Sequence, residues 1–168
     1  MKLVELLEGS VAPHKPTRKV SSDTMSSILN DSTLLLNKIY SGKGYELRIV
    51  GGAVRDVLSH TTPKDIDLAT DATPQESVKL LKSHGIRVIE TGLSHGTIVA
   101  HIEGEDYEIT TLRIDTETDG RHAEVEFTKD WRIDAVRRDL TFNAMSMDFD
   151  GRVYDYFGGE DDLKAGRA

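Results

Sequence analysis

Apolar side chains follow helical spacing in some parts of this chain. From residue 24 to residue 40 they recur at positions that share one helix face, which predicts a single amphipathic helix ending at the glycines of residues 41–44. Another helix is predicted to begin at Thr73, because Pro74 suits the first helical position and Glu76 can complete a capping box. Asp130 can cap a further helix in the C-terminal third of the chain.

Other stretches have the spacing and the turn residues of strands. Residues 97–103 and 107–112 alternate apolar and polar positions and are predicted to form a hairpin. Residues 146–149 and 152–156 flank Asp150-Gly151, a two-residue turn sequence typical of hairpins. Since no internal repeat interrupts this order, the pattern predicts one mixed domain of the α/β class (α+β type), a sheet with flanking helices.

The segments between and before these elements are polar. Residues 86–90 predict one more short strand, whereas residues 114–124 contain glycine and charged residues and are predicted to form a mobile loop. Residues 1–23 contain two prolines and several small polar residues, so little fixed structure is expected there. A transit peptide is only weakly indicated, because acidic residues accompany the basic ones, and a flexible tail is the better interpretation.

Composition narrows the class of protein. The chain has 168 residues, of which 38% are hydrophobic and 30% charged, and this is the composition of one ordinary globular domain. No apolar run approaches the roughly 20 residues that span a bilayer, so no membrane association is expected. The absence of cysteine excludes disulfides and thiolate metal sites. A net charge of −8 means that any RNA contact must use a local basic patch.

The candidate chemistry begins at residues 47–60. A short apolar run meets Gly51 and Gly52 and then a predicted helix at residues 53–60. Glycines at a strand-to-helix turn let the backbone approach a phosphate, and the unpaired N–H groups of a helix start can bind an anion. Arg55, in the first turn, can place its guanidinium on phosphate oxygens.

Two aspartates follow this turn. Asp65 and Asp67 are two positions apart at the head of an apolar run, so both side chains are expected on one face of a strand, where they could hold Mg²⁺. The spacing by itself is not specific: Asp148 and Asp150 have it too, but they run into a glycine turn and are interpreted as turn residues. Taken alone, Asp65 and Asp67 are as compatible with a solvated surface as with a metal site.

Three further positions favour nucleotide chemistry. Glu108 lies within a predicted strand, where an unpaired charge is costly, so it is expected to have a partner or a metal. Residues 137–139 (Arg-Arg-Asp) form a charged cluster close to Asn143, which suits a triphosphate and a sugar hydroxyl, although a solvated helix face remains an alternative. The six histidines include no close metal-ligand pair, and no Ser-His-Asp signature is present.

Together these motifs resemble a known family. Residues 51–56 (GGAVRD), Asp65-Ile66-Asp67 and residues 137–145 (RRDLTFNAM) are similar, in this order, to the head domain of class II tRNA nucleotidyltransferases, the CCA-adding enzymes of the DNA polymerase β superfamily. Residues 108–113 (EITTLR) and 119–122 (DGRH) also resemble that family, especially its mitochondrial and eukaryotic members. The resemblance covers roughly residues 45–165. Bacterial poly(A) polymerases share this head.

The resemblance implies a role for each motif. It makes Asp65 and Asp67 ligands of catalytic Mg²⁺ and places Glu108, the third acidic position, near the attacking 3′-hydroxyl. It also assigns nucleotide binding to a set of residues on the glycine turn and the charged cluster: Gly51, Gly52, Arg55, Arg138, Asp139 and Asn143. Two cations about 4 Å apart would stabilise the attacking and leaving oxygens of an in-line displacement.

The partners implied are CTP, ATP and the 3′ end of tRNA, in mitochondria, the cytoplasm or the nucleus. The expected domain division is a tail at residues 1–23, a head at 24–157 and the start of a hinge at 158–168. The family's neck motif, Glu-Asp-x-x-Arg, which reads the base, does not follow in this chain. We therefore expect it to hold metal and triphosphate but to choose bases poorly and bind tRNA weakly. The alternatives are a poly(A) polymerase-like head and a non-catalytic nucleotide- or RNA-binding fragment.

Overall fold

The structure is a computed structural model that describes residues 15–117, 123–138 and 143–166. Its helices are α1 (Ser22–Ile28), α2 (Asp31–Ser41), α3 (Gly52–Leu58), α4 (Pro74–Ser83), α5 (Trp131–Val136) and α6 (Gly159–Lys164). Its strands are β1 (Arg18–Lys19), β2 (Leu47–Val50), β3 (Asp67–Thr70), β4 (Arg87–Ile89), β5 (Thr97–Ile102), β6 (Glu105–Thr111), β7 (Arg113–Glu117), β8 (Ala123–Phe127), β9 (Ser146–Met147) and β10 (Arg152–Tyr154). A short 3₁₀ helix spans Leu93–His95.

Eight strands form one sheet in the order β1-β10-β9-β2-β3-β6-β5-β4, while β7 and β8 form a separate pair. Neighbouring strands of the large sheet are antiparallel except β3 and β6, which are parallel, with Leu68 opposite Ile109. Between β3 and β6 the chain forms α4 and then β4 and β5, which lie beyond β6 in the same sheet. The predicted mixed sheet with flanking helices is confirmed.

The two faces of the sheet bury different side chains. Ile49 and Leu68 point toward α1 to α4 and belong to the main core. Their neighbours Val50 and Ala69 point to the opposite face, where they pack with Leu112 and Trp131 of α5 in a second apolar cluster. This alternation follows from the two-residue repeat of a strand. The central strands are thus covered on both sides, and α5 lies on the face opposite α1 to α4.

The single helix predicted for residues 24–40 is wrong in one respect, because the structure divides it into α1 and α2. Asn30 stands between them in extended conformation, and its side chain accepts a hydrogen bond from the backbone N–H of Thr33. The Thr33 hydroxyl in turn accepts one from the Asn30 backbone N–H, completing a capping box. A capping box supplies partners to N–H groups that a continuous helix would pair internally, so it starts a new helix.

Most other predicted elements are confirmed with shifted ends. Thr73 and Glu76 form the predicted capping box of α4, with Pro74 at its first position. The hairpin of β5 and β6 turns at Glu103 and Gly104, both with positive φ, which is one residue earlier than expected. Asp148 accepts hydrogen bonds from the backbone N–H groups of residues 150 and 152, so this aspartate does serve the β9–β10 turn.

Two segments differ from the sequence prediction. The mobile loop predicted at residues 114–124 is wrong for the described parts of that segment, which lie in β7 and β8, paired from Arg113–Phe127 to Glu117–Ala123; the tip at residues 118–122 lies outside the described residues. Part of the predicted N-terminal tail is also ordered, since β1 pairs with β10 and Val20 is buried. Residues 1–14 of that tail lie outside the described residues.

The segment predicted to begin a hinge is helical. Asp155 accepts hydrogen bonds from the backbone N–H groups of Gly159 and Glu160 and so caps α6. Glu160 forms an ion pair with Arg18 of β1, and Leu163 packs against the main core. In the described part of the chain α6 therefore rests on the head. None of the described helices is long and apolar enough to cross a membrane.

Candidate nucleotide and metal site

Backbone pairing brings the predicted site residues to one end of the sheet. Val50, the last residue of β2, pairs with Asp67 at the start of β3 and with Ser146 at the start of β9. The glycine turn that follows Val50 therefore lies beside the segments that lead into β3 and β9. Those segments carry Asp65 and Asn143, respectively. Positions far apart in the chain thus meet at the same end of the sheet.

The three predicted carboxylates line a single open cleft of about 620 Å³ at this end of the sheet. Asp67 has the strand parity of Ala69, and Glu108 that of Thr110, so both project on the side that carries α5. The cleft is strongly acidic, with one lysine among its charged lining residues: Asp65, Asp67, Glu105, Asp106, Glu108 and Lys64. The sequence argument for Glu108 assumed that this side chain is buried. That assumption is wrong, because Glu108 is exposed and needs no partner to offset burial.

The electrostatics of Asp67 fit a cation. Partial desolvation at the strand end raises the pKa of Asp67, the negative charge of Asp65 raises this pKa further, and the positive charge of Arg138 lowers it. Two carboxylates that disfavour each other's charge are stabilised by a divalent cation between them. Mg²⁺ commonly takes one or two protein carboxylates and completes its shell with water and substrate phosphates, so Asp65 and Asp67 suit it. Among the described residues, no three His, Asp or Glu side chains are grouped tightly enough to hold a metal by themselves.

The glycine turn has the backbone that a close approach requires. Gly51 has φ 70° and ψ −138°, a conformation that side-chain-bearing residues rarely adopt. A Cβ on Gly52 would lie 3.3 Å from an Arg55 Nη atom, so the guanidinium of Arg55 folds back over the turn. Arg55 contacts Asp56 only at 3.5 Å and is partly exposed, which leaves it able to face an anion.

Arg138 approaches this end of the sheet from the side of α5. It follows α5, and its side chain is largely buried against Asp134, at 3.5 Å. Burial lowers the pKa of Arg138, the charge of Asp134 raises it, and the nearby charges of Arg137 and Arg113 lower it. Because Arg138 acts on the pKa of Asp67, its positive charge lies within electrostatic reach of the cleft. The alternative of a solvated helix face is wrong for Arg138.

The remaining predicted residues lie partly inside and partly outside the described ranges. Asn143 precedes β9, and its Oδ1 atom is buried without a hydrogen-bond partner in the described part of the chain, as expected of a group that awaits a ligand. Asp139 and residues 119–122 lie outside the described residues. The roles assigned to all nine residues remain predictions.

Sequence reasoning missed Asp134. It is 4% exposed and accepts a hydrogen bond from the Arg113 backbone N–H at 2.9 Å. The signal was available: Asp134 stands three and four positions before two arginines, the spacing at which helical side chains meet. Such a carboxylate can hold basic residues in place without itself reaching the cleft.

Replacing Gly51 by alanine is expected to destabilise the protein by about 1–3 kcal/mol, the cost of holding a side-chain-bearing residue in this backbone region. A Cβ there would meet nothing within 4 Å, so the effect comes from backbone strain and not from a clash. Relief of that strain should move the turn and weaken binding of CTP in Mg²⁺ by up to about a hundredfold, the cost of misplacement by an ångström. Titration followed by the fluorescence of the chain's one tryptophan, Trp131, measures this.

Gly44 provides the matched control. It also has a positive φ, 79°, and a Cβ added to it would meet nothing within 4 Å, but it lies after α2, at the opposite end of β2 from the glycine turn. Gly44→Ala should therefore lower stability and leave CTP affinity unchanged. Equal loss of affinity in the two variants would contradict a phosphate role for the Gly51 turn.

Comparison with known proteins identifies the class. Residues 47–168 match the family described as the Poly A polymerase head domain, which covers more than half of the chain. The chain belongs to this family, and the resemblance inferred from its motifs is confirmed. The matched region includes the glycine turn, the paired aspartates, Glu108 and Arg138.

Similar proteins include CCA-adding enzymes. The chain is 52% identical over 149 residues to human CCA tRNA nucleotidyltransferase 1, mitochondrial, covering 88% of this chain and 34% of that protein. It is 44% identical over 123 residues to the CCA-adding enzyme of Bacillus licheniformis, covering 72% of this chain and 30% of the relative. The chain thus spans about a third of the length of the relatives that it matches.

Solved structures agree with the sequence comparison. The CCA-adding enzyme of Bacillus stearothermophilus in complex with CTP superposes with a TM-score of 0.69 at 34% identity, over 79% of this chain and 31% of that one. A tRNA nucleotidyltransferase complexed with a primer tRNA and an incoming ATP analog gives a TM-score of 0.60 at 30% identity, over 77% and 36% of the two chains. The fold of this chain is therefore the head of a tRNA nucleotidyltransferase.

Proposed function

We propose that this chain is the catalytic head of a CCA-adding tRNA nucleotidyltransferase, which transfers nucleotides from CTP and ATP to the 3′ end of tRNA. The observation that carries the proposal is the meeting of Asp65, Asp67 and Glu108 in one acidic cleft, with the charge of Arg138 acting on it. The relatives named above support the choice of tRNA as acceptor and of CTP and ATP as donors.

The proposed roles follow from position. Asp65 and Asp67 would hold Mg²⁺, which, when bound, offsets the negative charge of the triphosphate. The turn at Gly51 and Gly52, with Arg55 above it, would orient the phosphates so that the bond from the α-phosphorus to the leaving pyrophosphate lies opposite the attacking 3′-hydroxyl. Glu108, exposed on the same side of the sheet as Asp67, would face the attacking 3′-hydroxyl.

Nucleotide contacts would come from the α5 side. Arg138 would neutralise charge that develops on the reacting phosphate, and a preorganised cation of this kind costs no rearrangement during the reaction. Asn143, through its unpaired Oδ1, would accept a hydrogen bond from the ribose. From the resemblance to the family, Asp139 would also contact the nucleotide. Proton transfer and base selection are assigned to no described residue.

A direct assay tests the proposal. The chain is incubated with Mg²⁺, labelled CTP or ATP, and a tRNA that lacks its 3′-terminal nucleotides, with protein in excess over RNA. Slow incorporation of CTP is expected, and Asp150→Asn should retain it because that aspartate lies in an exposed turn. Absence of incorporation from both nucleotides would rule out activity of this chain by itself.

The same assay separates the alternatives. A poly(A) polymerase-like head would incorporate ATP and leave CTP unused. A non-catalytic fragment would bind CTP in Mg²⁺ without incorporating it, and this binding is measured separately by Trp131 fluorescence. The names of the human, zebrafish and mouse relatives support a mitochondrial location for the protein.

A further inference from the structure

Asp134 is a carboxylate near the site that is buried and hydrogen-bonded through both of its oxygens. Only 4% of it is exposed. One oxygen accepts hydrogen bonds from the Arg113 backbone N–H at 2.9 Å and from Arg137 Nε at 3.1 Å. The other oxygen accepts from Arg138 Nη2 at 3.5 Å. One buried side chain thus joins the start of β7 to both arginines that follow α5.

This arrangement cannot be explained by helix capping. The N-terminus of α5 is already capped by Asp130, whose Oδ1 accepts a hydrogen bond from the Arg132 backbone N–H at 2.9 Å. Nor can Asp134 contact a substrate directly, because its burial and its three protein donors leave its oxygens occupied. Its contacts are directed to basic residues, so its effect on the cleft must pass through them.

The basic residues need such a partner. Arg137 and Arg113 both lower the pKa of Arg138, which shows that the three positive charges lie close enough to repel one another. A buried carboxylate among them offsets this repulsion and fixes the direction of the Arg137 and Arg138 guanidinium groups. Arg113 is held at its far end as well, since its Nη1 donates to the His95 carbonyl at 2.7 Å.

Arg138 is the member of this group whose charge reaches the cleft. It follows α5, which packs on the face of the sheet from which Asp67 projects. Its positive charge also lowers the pKa of Asp67. A change in the direction of the Arg138 side chain would therefore change the potential where a triphosphate is expected to bind. The direction is set by Asp134, four residues earlier.

We propose that Asp134 is a positioning residue for triphosphate binding. It holds the guanidinium of Arg138 toward the paired aspartates and links this arginine to Arg113, the first residue of β7. The inference rests on the proposed function, because it takes the triphosphate of CTP or ATP as the ligand. Asp134 itself touches neither the nucleotide nor the metal.

A double-mutant cycle tests it. Asp134→Asn keeps the shape and one acceptor for the Arg113 N–H but removes the charge. In the full chain it should weaken CTP binding in Mg²⁺ about tenfold, a coupling of ordinary size for residues in contact. In the Arg138→Gln background the same change should alter affinity by less than about twofold, because the side chain that Asp134 orients is gone. Equal losses in both backgrounds would overturn the proposal.

Controls separate positioning from folding. Asp130→Asn removes a carboxylate from the same helix while keeping a good cap, and it should leave CTP affinity unchanged. Asp134→Glu keeps the charge and should restore most of the affinity lost in Asp134→Asn. If Asp134→Asn fails to fold, Asp134→Ser, which is also uncharged and keeps an oxygen acceptor, replaces it in the cycle with Arg138→Gln. Asp134→Glu behaving no better than Asp134→Asn would contradict the proposal.

A measurement without nucleotide distinguishes this inference from the proposed function. The guanidinium Nε–H signals of Arg137 and Arg138 in ¹⁵N NMR should be sharp in the wild-type chain and exchange-broadened in Asp134→Asn. Unchanged signals would overturn the positioning role whatever the protein binds. Loss of the signals, together with a wild-type chain that binds no CTP, would confirm the positioning of the arginines and reject the nucleotide as its purpose.

Discussion

Replacing Asp67 by asparagine is expected to reduce nucleotide incorporation by about three orders of magnitude, which is the scale of several kcal/mol of lost charge stabilisation. Asp65→Asn should have a similar effect, since both carboxylates lie in the same cleft. Initial rates of CTP incorporation at saturating Mg²⁺ measure this. Asp150→Asn is the matched control: its carboxylate is exposed and, within the described ranges, pairs with Arg152 in the β9–β10 turn.

The same substitution at Asp67 should raise stability when Mg²⁺ is absent. Since the folded-state pKa of Asp67 is raised, the fold favours the protonated form, and this contribution is present at acid pH and lost as the pH rises through the folded pKa. Asparagine carries no charge, so Asp67→Asn should be more stable than wild type at pH 7 by about 0.5 kcal/mol, a value limited by the exposure of the site. The gain should vanish near pH 3.

Thermal unfolding in EDTA at the two pH values measures this gain. Asp150→Asn should show none, because its loss removes a weak surface pair and relieves no repulsion. An Asp67→Asn variant that is less stable than wild type at pH 7, or that retains a tenth of the activity, would contradict the assignment of Asp67 as a metal-binding carboxylate.

Replacing Arg48 by methionine is expected to lower the free energy of unfolding by about 3 kcal/mol, as removal of one member of a buried charged cluster does. Arg48 is 5% exposed and lies between two aromatic rings, 4.1 Å from the centroid of Trp131 and 3.7 Å from that of Tyr154. Its guanidinium also donates to the Tyr156 hydroxyl at 3.1 Å and pairs with Glu46 at 2.9 Å. Stacking and hydrogen bonding are therefore lost together.

Arg152→Met is the control for Arg48→Met. Arg152 also lies on a strand of the large sheet, but its side chain is half exposed and its ion pairs with Asp148 and Asp150 are 3.5 and 3.4 Å long. Its loss should cost less than about 0.5 kcal/mol. Urea unfolding followed by Trp131 fluorescence compares the two, and equal losses would show that the aromatic rings around Arg48 contribute nothing specific.

Local chemistry made much of the fold predictable. The capping box of Thr73 and Glu76 and the Asp150-Gly151 turn depend on residues within a few positions of one another, so their sequence signals were sufficient. The split between α1 and α2 was missed although its signal is local as well, because the apolar stripe continues through the break at Asn30. A stripe reports which face is buried and does not show that the helix is continuous.

That the candidate site residues would lie close together could be predicted from the sequence, and their geometry less so. The β7–β8 pair was missed because β7 is polar and lacks the alternation that marks a half-buried strand, although β8 (Ala123–Phe127) has it. Glu108 was selected by an argument from burial that its exposure refutes, and only the parallel register of β3 and β6 places it beside Asp67. The role of Asp134 depends on which charges surround the end of α5, and this follows from tertiary contacts.

The parallel pairing of β3 with β6 has a consequence for synthesis of the protein. The two aspartates leave the ribosome well before Glu108, but β3 has no β6 partner until α4, β4 and β5 have also emerged. Pairing between strands so distant in sequence is slow, because the loop-closure entropy must be overcome before the contacts form. A nascent chain therefore carries both aspartates for some time without a cleft, and it brings them together with Glu108 only when the central sheet closes.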